Sequence, residues 1–282
     1  MIVSAFLQQP GQHAVPRRDV YSRIEMEVQQ PARIFAQIAV AEHPGAELTE
    51  KLVITRDGQP IEPQVIQTPH RGRLHRFRSH PGHVVIEYSA SITGQADTVA
   101  AEPLDDALYL RPSRYAESDE LLAKAYEEFT GVKEPRAIFS AITEWVSTHL
   151  SYVPGSSGPS DGAGTTLLHR QGVCRDYAHL TTALLRALDV PARVVGVYAP
   201  GISPMDFHAV TEALVDGEWI VADSTRLGPR QSMVRMVTGR DAADTAFLST
   251  YEGFVDLKST RILATVDGDL PVDDHTATMQ LR

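Results

Sequence analysis

Two β-rich runs, His208–Val215 and Glu218–Asp223, are joined by the dipeptide Asp216-Gly217. A two-residue Asp-Gly loop lets both central positions take positive φ and matches the twist of the strands it joins. So short a loop sets the register: Val215 faces Glu218, and each further pair has residue numbers that total 433, through Val210 with Asp223 and His208 with Thr225. Asp223 then shares a face with His208 and lies diagonal to it. Diagonal Cβ atoms are roughly 7–8 Å apart, within reach for an imidazole and a carboxylate. A slip of one residue would put the two on opposite faces. Val210, Leu214, Trp219 and Val221 share the His208 face, which is expected to pack inward, toward a helix that begins near Cys174.

That helix is read from Tyr177, Leu180, Leu184 and Leu188, an apolar stripe at helical spacing. It ends before Pro191, which disfavours a helical conformation at Val190, and Gly172 gives the chain a flexible approach to its start. Cys174 is the only cysteine, so an intramolecular disulfide and a multi-cysteine zinc site are excluded. A lone thiol is ordinarily a small buried hydrophobe. At a helix start, however, free N–H groups and the macrodipole favour the thiolate, and the same N–H groups can serve as oxyanion donors in acyl transfer. A thiol nucleophile needs a base, and the base an orienting partner. His208 and Asp223 fit those two roles. His179 lies five residues past Cys174, turned away from it, and His169 has no paired carboxylate.

The 282 residues suggest about two domains at ~150 residues each. With 26 Lys and Arg against 36 Asp and Glu, the net charge is −10, which argues against a general nucleic-acid footprint because counterion release needs clustered cations. Apolar residues at 43% and charged residues at 22% are the balance of a folded globular chain. No apolar run approaches the ~18 residues of a transmembrane helix, so no membrane partner is expected. Met1–Pro10 lacks the basic and long apolar regions of a signal peptide, and a cytoplasmic location is the expectation. No cofactor and no metal is expected; in particular, the acidic residues form no recognisable calcium loop.

Residues 1–98 carry no net charge and residues 99–282 carry the whole −10, which with the turn-rich stretch Gly94–Pro103 suggests a boundary at residue 98. The first part reads as a β-sandwich. Ile24, Met26 and Val28 alternate with charged neighbours, Ile34, Ala36, Ile38 and Val40 repeat the pattern, Lys51–Thr55 runs into Asp57-Gly58, and Val84–Ala90 adds another strand. The second part mixes helices and strands. Ser118 is the expected N-cap of a helix carrying Leu121, Leu122, Ala125 and Phe129, and Pro135 opens another through Ile138, Ile142, Trp145, Val146 and Leu150. Residues 268–282 are polar and expected to fray. His70–His80 packs four arginines and three histidines into eleven residues. A phosphate or metal site there is weighed against a solvated strand face or a contact with the acidic second part, and the second reading is preferred.

Taken together, Gly172-Val-Cys-Arg-Asp-Tyr-Ala-His-Leu180, Val190-Pro-Ala-Arg-Val194, Asp206-Phe-His-Ala209 and Trp219-Ile-Val-Ala-Asp223 resemble the transglutaminase-like superfamily, in its bacterial cysteine protease branch. Tyr109-Leu-Arg-Pro-Ser-Arg114 and Gly239-Arg-Asp-Ala-Ala-Asp244 are similar to segments of the same branch, so the resemblance spans roughly residues 105–255. It implies an α+β, papain-like core in which a helix-borne cysteine packs on an antiparallel sheet, behind an N-terminal β-sandwich accessory domain. Carried over, Cys174 is the nucleophile, His208 the general base and Asp223 the orienting carboxylate. Two positions depart from the pattern: Val210 stands where Trp is common, and Asp223-Ser-Thr225 where Asp-Pro-Thr or Asp-Ala-Thr is common. The implied chemistry is cleavage of peptide or isopeptide amides through a cysteine thioester, giving a protease or amidase acting on a peptide or protein substrate. Resolution of the thioester by an amine would instead make a protein-glutamine transglutaminase, and loss of catalysis would leave a peptide-binding module. Tyr152, Asp176 and Arg240 are candidate substrate-binding residues, each with a structural alternative as an aromatic core position, a first-turn acid and a salt-bridge partner.

Overall fold

The computed structural model describes residues 17–282, so the reading of Met1–Pro10 falls outside the described residues. Strands β1 (Arg18–Val28), β2 (Ala32–Ala36), β3 (Glu47–Arg56), β4 (Gln59–Pro60), β5 (Gln64–Gln67), β6 (Arg73–Ser79) and β7 (Gly82–Thr93) come first. Next are α1 (Asp105–Tyr109), α2 (Leu122–Glu128), α3 (Pro135–His149), β8 (Ser151–Tyr152), α4 (Ala163–His169), β9 (Gln171–Gly172) and α5 (Cys174–Ala187). The chain continues through β10 (Ala192–Tyr198), β11 (Phe207–Val215), β12 (Glu218–Ala222), β13 (Val234–Gly239), α6 (Ala242–Thr245), β14 (Leu248–Tyr251) and β15 (Val255–Val266).

Two antiparallel sheets, ordered β15-β1-β7-β3-β4 and β14-β2-β6-β5, face each other. Side chains on β1 alternate between buried and half-buried along the whole strand, as a strand with one core face must. Ile24, Met26, Val84, Ile86 and Tyr88 from one sheet meet Ile34, Ala36 and Phe77 from the other. The division at residue 98 needs correction. β15 pairs with β1 from Val266 to Val255, and β14 pairs with β2, so each sheet takes a strand from beyond residue 98. Without them β1 and β2 would be edge strands with open backbone rows.

Three local expectations also change. The strand containing Ile34 stops at Ala36: the Gln37 N–H turns to the Phe247 carbonyl, and its side-chain amide bonds to the Asp244 and Ala246 carbonyls. Ser118 does not cap α2, which starts four residues later; residues 117–120 form a turn in which Glu120 N–H bonds to the Glu117 carbonyl. Residues 268–282 do not fray as a unit. Asp273 is buried with Arg230 at 2.8 Å, the Met279 carbonyl accepts from Val221 N–H, and Leu281 is buried.

The second half is built on a sheet ordered β12-β11-β10-β13. All five pairs between β11 and β12, from Thr211–Ala222 to Val215–Glu218, have the expected register. Asp216 and Gly217 both have positive φ, 55° and 81°. The face that meets α5 is the opposite of the expected one. Ala213, Val215, Ile220 and Ala222 pack on Leu180, Ala183 and Leu184, whereas Val210 and Val221 pack on Val195, Val197, Met233 and Leu281. Both faces of this sheet are covered, so alternation gives the register but not which apolar layer is the helix.

The basic segment is drawn inward at several points. Arg73 pairs with Glu50 and Glu42, and buried His70 lies 2.9 Å from the Tyr109 hydroxyl and 3.2 Å from Arg193. It therefore forms part of the seam between the two halves. Among the described residues no helix is long and apolar enough to cross a membrane.

Because β14 and β15 complete the sandwich, residues 17–98 expressed alone should show no cooperative thermal transition by circular dichroism. A sharp melt of that fragment would mean that the two late strands are dispensable.

Candidate active site

Cys174 is the first residue of α5 and is half-buried. The carboxylate of Asp176, two residues on, accepts the Val173 N–H at 2.7 Å through Oδ2 and the Ser157 hydroxyl at 2.8 Å through Oδ1. Both oxygens of this buried group are thus taken by protein donors. The substrate-binding reading of Asp176 gives way to its structural alternative, a first-turn acid that holds the helix start. Gly172 is needed beside it, because a Cβ there would fall 2.6 Å from Asp176 Cβ. The short parallel pair β8–β9 runs alongside, with Val153 N–H on the Gly172 carbonyl at 3.0 Å. This brings Tyr152 beside Cys174, whose charge and backbone both act on the phenol. Burial, with a smaller push from Cys174, raises the Tyr152 phenol to about 12, so it keeps its proton at neutral pH.

His208 sits near the start of β11 and Asp223 just past the end of β12, both buried. His208 Nε2 is 3.1 Å from Asp223 Oδ2, although the N–H is not aimed squarely at that oxygen. The other carboxylate oxygen is held by Thr225, whose N–H and hydroxyl donate to Oδ1 at 3.1 and 2.7 Å. The thiol lies 3.9 Å from the Phe207 carbonyl oxygen, and it is close enough to His208 to help raise the imidazole. With Nε2 turned to Asp223, Nδ1 is the nitrogen left for sulfur. Imidazole and thiol meet at the end of the sheet, which is how they come together although α5 covers the other face.

Burial opposes a charge on His208, but Asp223, by attraction and hydrogen bonding, and then Cys174 outweigh it and raise the imidazole to about 10. Burial likewise opposes charge on Asp223, and the attraction of His208 and the Thr225 donors hold it below the ordinary carboxylate value. The pair is therefore ionic at neutral pH.

Hydroxyl groups connect α5 to this pair. Thr181 Oγ1 and Ser224 Oγ share a hydrogen bond of 2.8 Å, Thr211 donates to the Ala178 carbonyl at 3.0 Å, and Thr182 lies 3.2 Å from Thr211. Thr225 was legible as a residue two positions past an aspartate, where local side-chain turns form. The Thr181–Ser224 contact spans 43 positions and has no local signature.

Arg240 is not part of this site. Its guanidinium pairs with Asp244 at 2.8 Å, and its carbonyl accepts from Arg186. Arg186 stands twelve residues along α5 from Cys174, roughly 18 Å at the helical rise. Arg240 lines a separate cavity of about 650 Å³ with Phe35, Tyr109 and Tyr251, so the salt-bridge alternative describes it. His179 accepts the Ala242 N–H and stacks on Tyr115. No group of three or more His, Cys, Asp or Glu converges as metal ligands would among the described residues.

A helix-start thiol facing a buried imidazole–carboxylate pair on an antiparallel sheet is an arrangement suited to thiol-based catalysis. Residues 123–224 match the transglutaminase-like superfamily, so this part of the chain carries a transglutaminase-like domain. The protein's structure is similar to that of a "putative cysteine protease" from Cytophaga hutchinsonii, with 29% identity, a TM-score of 0.86, and coverage of 95% of this chain and 98% of the other. An uncharacterized protein of Mycobacterium leprae, ML0607, is 29% identical over 150 residues, which span 49% of this chain and 52% of that protein. The periplasmic domain of TgpA from Pseudomonas aeruginosa is more distant, at 20% identity over 75% of this chain and 88% of that one, with a TM-score of 0.40.

The ion pair has a signature in stability. An unfolded imidazole titrates near ~6.5, so the contribution of His208 is complete below that pH and is lost as pH rises toward about 10. Asp223 contributes above its unfolded value and loses this as pH falls through its lowered folded value. The melting temperature of the native protein should therefore exceed that of Asp223→Asn by more at pH 6 than at pH 10. A gap of equal size at both would remove the ionic reading.

Proposed function

We propose that the protein is a cysteine hydrolase, a protease or amidase, that cleaves peptide or isopeptide amides of a peptide or protein substrate through an acyl-enzyme on Cys174. The observation that carries this reading is the 3.1 Å contact of His208 with Asp223, made beside the helix-start thiol that lies 3.9 Å from the neighbouring Phe207 carbonyl. In the proposed step Cys174 attacks the amide carbonyl carbon as a thiolate, opposite the protonated His208, and the carbonyl π electrons move to oxygen. The oxyanion is met by the Cys174 N–H and by the Tyr152 hydroxyl, which stays protonated for that task. His208 gives its proton to the departing amine nitrogen as the C–N bond breaks, leaving a thioester. His208 then takes a proton from water, which attacks the thioester and releases the acid and the Cys174 thiolate, with His208 protonated for the next cycle. Asp223 orients the imidazole and balances its charge throughout. A cytoplasmic site of action belongs to the same reading, since a reducing compartment keeps a single catalytic thiol free.

Cys174→Ala should abolish turnover of peptide amides, and His208→Ala should slow iodoacetamide alkylation of the one cysteine at neutral pH. Tyr152→Phe should lower kcat by about 10²-fold, the usual effect of losing one oxyanion donor, with KM little changed. Peptide amides incubated with excess primary amine should yield mainly free acid and amine. Predominant amide exchange would replace the hydrolase with a transglutaminase, and peptide binding without thioester formation would replace both with a binding module.

A further inference from the structure

We infer that Thr181 and Ser224 form a positioning pair that sets the Asp223 carboxylate relative to the Cys174 thiol. This rests on the acyl-enzyme reading above. The three reacting side chains come from separate segments: Cys174 from α5, His208 from β11, and Asp223 from the turn after β12. Their separations are fixed only as well as those segments are fixed to one another. Thr211 provides one tie, from β11 to the Ala178 carbonyl on α5. The Thr181–Ser224 bond provides the other, from the residue next to Asp223 to the middle of the same helix.

Thr225 cannot replace that second tie. Its two bonds to Asp223 Oδ1 are local, so they set the rotation of the carboxylate against its own turn. Among the described residues, only Ser224 connects this turn by a side-chain hydrogen bond to the helix that bears the thiol. Thr181 is fully buried and Ser224 nearly so, so water is not at hand to replace either partner, and removing one hydroxyl strands the other. At Ser224 the chain also departs from the Asp-Pro-Thr or Asp-Ala-Thr pattern it resembles, and neither Pro nor Ala could make this bond. The serine is thus matched to the threonine of this chain's own helix.

The test compares Thr181→Val, Ser224→Ala, the double variant and the conservative Thr181→Ser. Iodoacetamide alkylation of Cys174 against pH is one readout and p-nitrophenyl acetate turnover the other, both well below each variant's melting temperature. Each single removal should lower kcat and the neutral-pH alkylation rate by about fivefold while KM stays within about twofold. The double variant should be no worse than the singles, and Thr181→Ser should recover most of both rates. A lower melting temperature with unchanged kcat and an unchanged alkylation profile would reduce the pair to a structural contact and overturn the inference. Ester turnover that survives Cys174→Ala would instead sink the acyl-enzyme reading, and the alkylation profiles would still decide whether the pair positions the thiol.

Discussion

Helix α5 is buried from Asp176 to Ala187 and partly open only at Cys174 and Arg175. Leu180, Leu184 and Leu185 have no exposure, and each such side chain contributes on the order of 1.5–3 kcal/mol by leaving water. A helix enclosed in this way has one place where chemistry can meet solvent, its first turn. Helix α3, α4 and strands β10 and β11 pack around the remainder, so their positions follow from that of α5. Even the charge on its last turn is accommodated: Arg186 donates to the carbonyls of Ala192, Arg111 and Arg240 and to the Ser113 hydroxyl, while burial lowers its guanidinium to about 10. The thiol is therefore held by a core element, with no dependence on a mobile loop.

The seam beside this core is polar, and its charges are matched. Glu212 is fully buried between Arg193 and Arg235. Burial opposes its charge, and the two guanidinium groups, Arg235 first, outweigh that and hold the carboxyl at about 2. Arg193 also lies 3.6 Å over the Trp219 ring, and its other side meets His70 from the N-terminal sheets. Buried ion pairs add little net stability over apolar packing, yet removing one partner leaves a costly uncompensated charge. The cluster therefore favours one relative placement of sandwich and core. It lies on the sheet face opposite α5, so the sheet carrying His208 is clamped from both sides.

The parts of this architecture that were legible in the sequence are those set by local rules. Asp216-Gly217 dictates the hairpin register, and the register puts His208 and Asp223 on one face. The stripe from Tyr177 to Leu188 and the lone thiol ahead of it mark α5. What was hidden depends on long-range choices. Two covered faces of one sheet look alike in sequence, so the layer holding α5 was assigned to the wrong side. Residues 255–266 read as a strand only once β1 is seen to need a partner, and Arg240, inside the family-like segment Gly239–Asp244, stands at the far end of the helix. Asp176 was ambiguous for another reason: a first-turn acid and a substrate-binding acid have the same sequence.

Val210 shows how such a hidden choice bears on the site. Its position, two residues past His208, puts it on the His208 face, and a smaller side chain there than the usual Trp would suggest a wider pocket. Instead Val210 is buried against Val195, Val221 and Leu281. Leu281 comes from the C-terminal segment, which is fastened by the Met279 carbonyl on Val221 N–H and by Arg230 on Asp273. The volume not filled at Val210 therefore lies in a layer that this segment occupies. The substitution is absorbed as core packing that backs His208, and the shape of the open side of the site is left to Tyr152 and the residues around it.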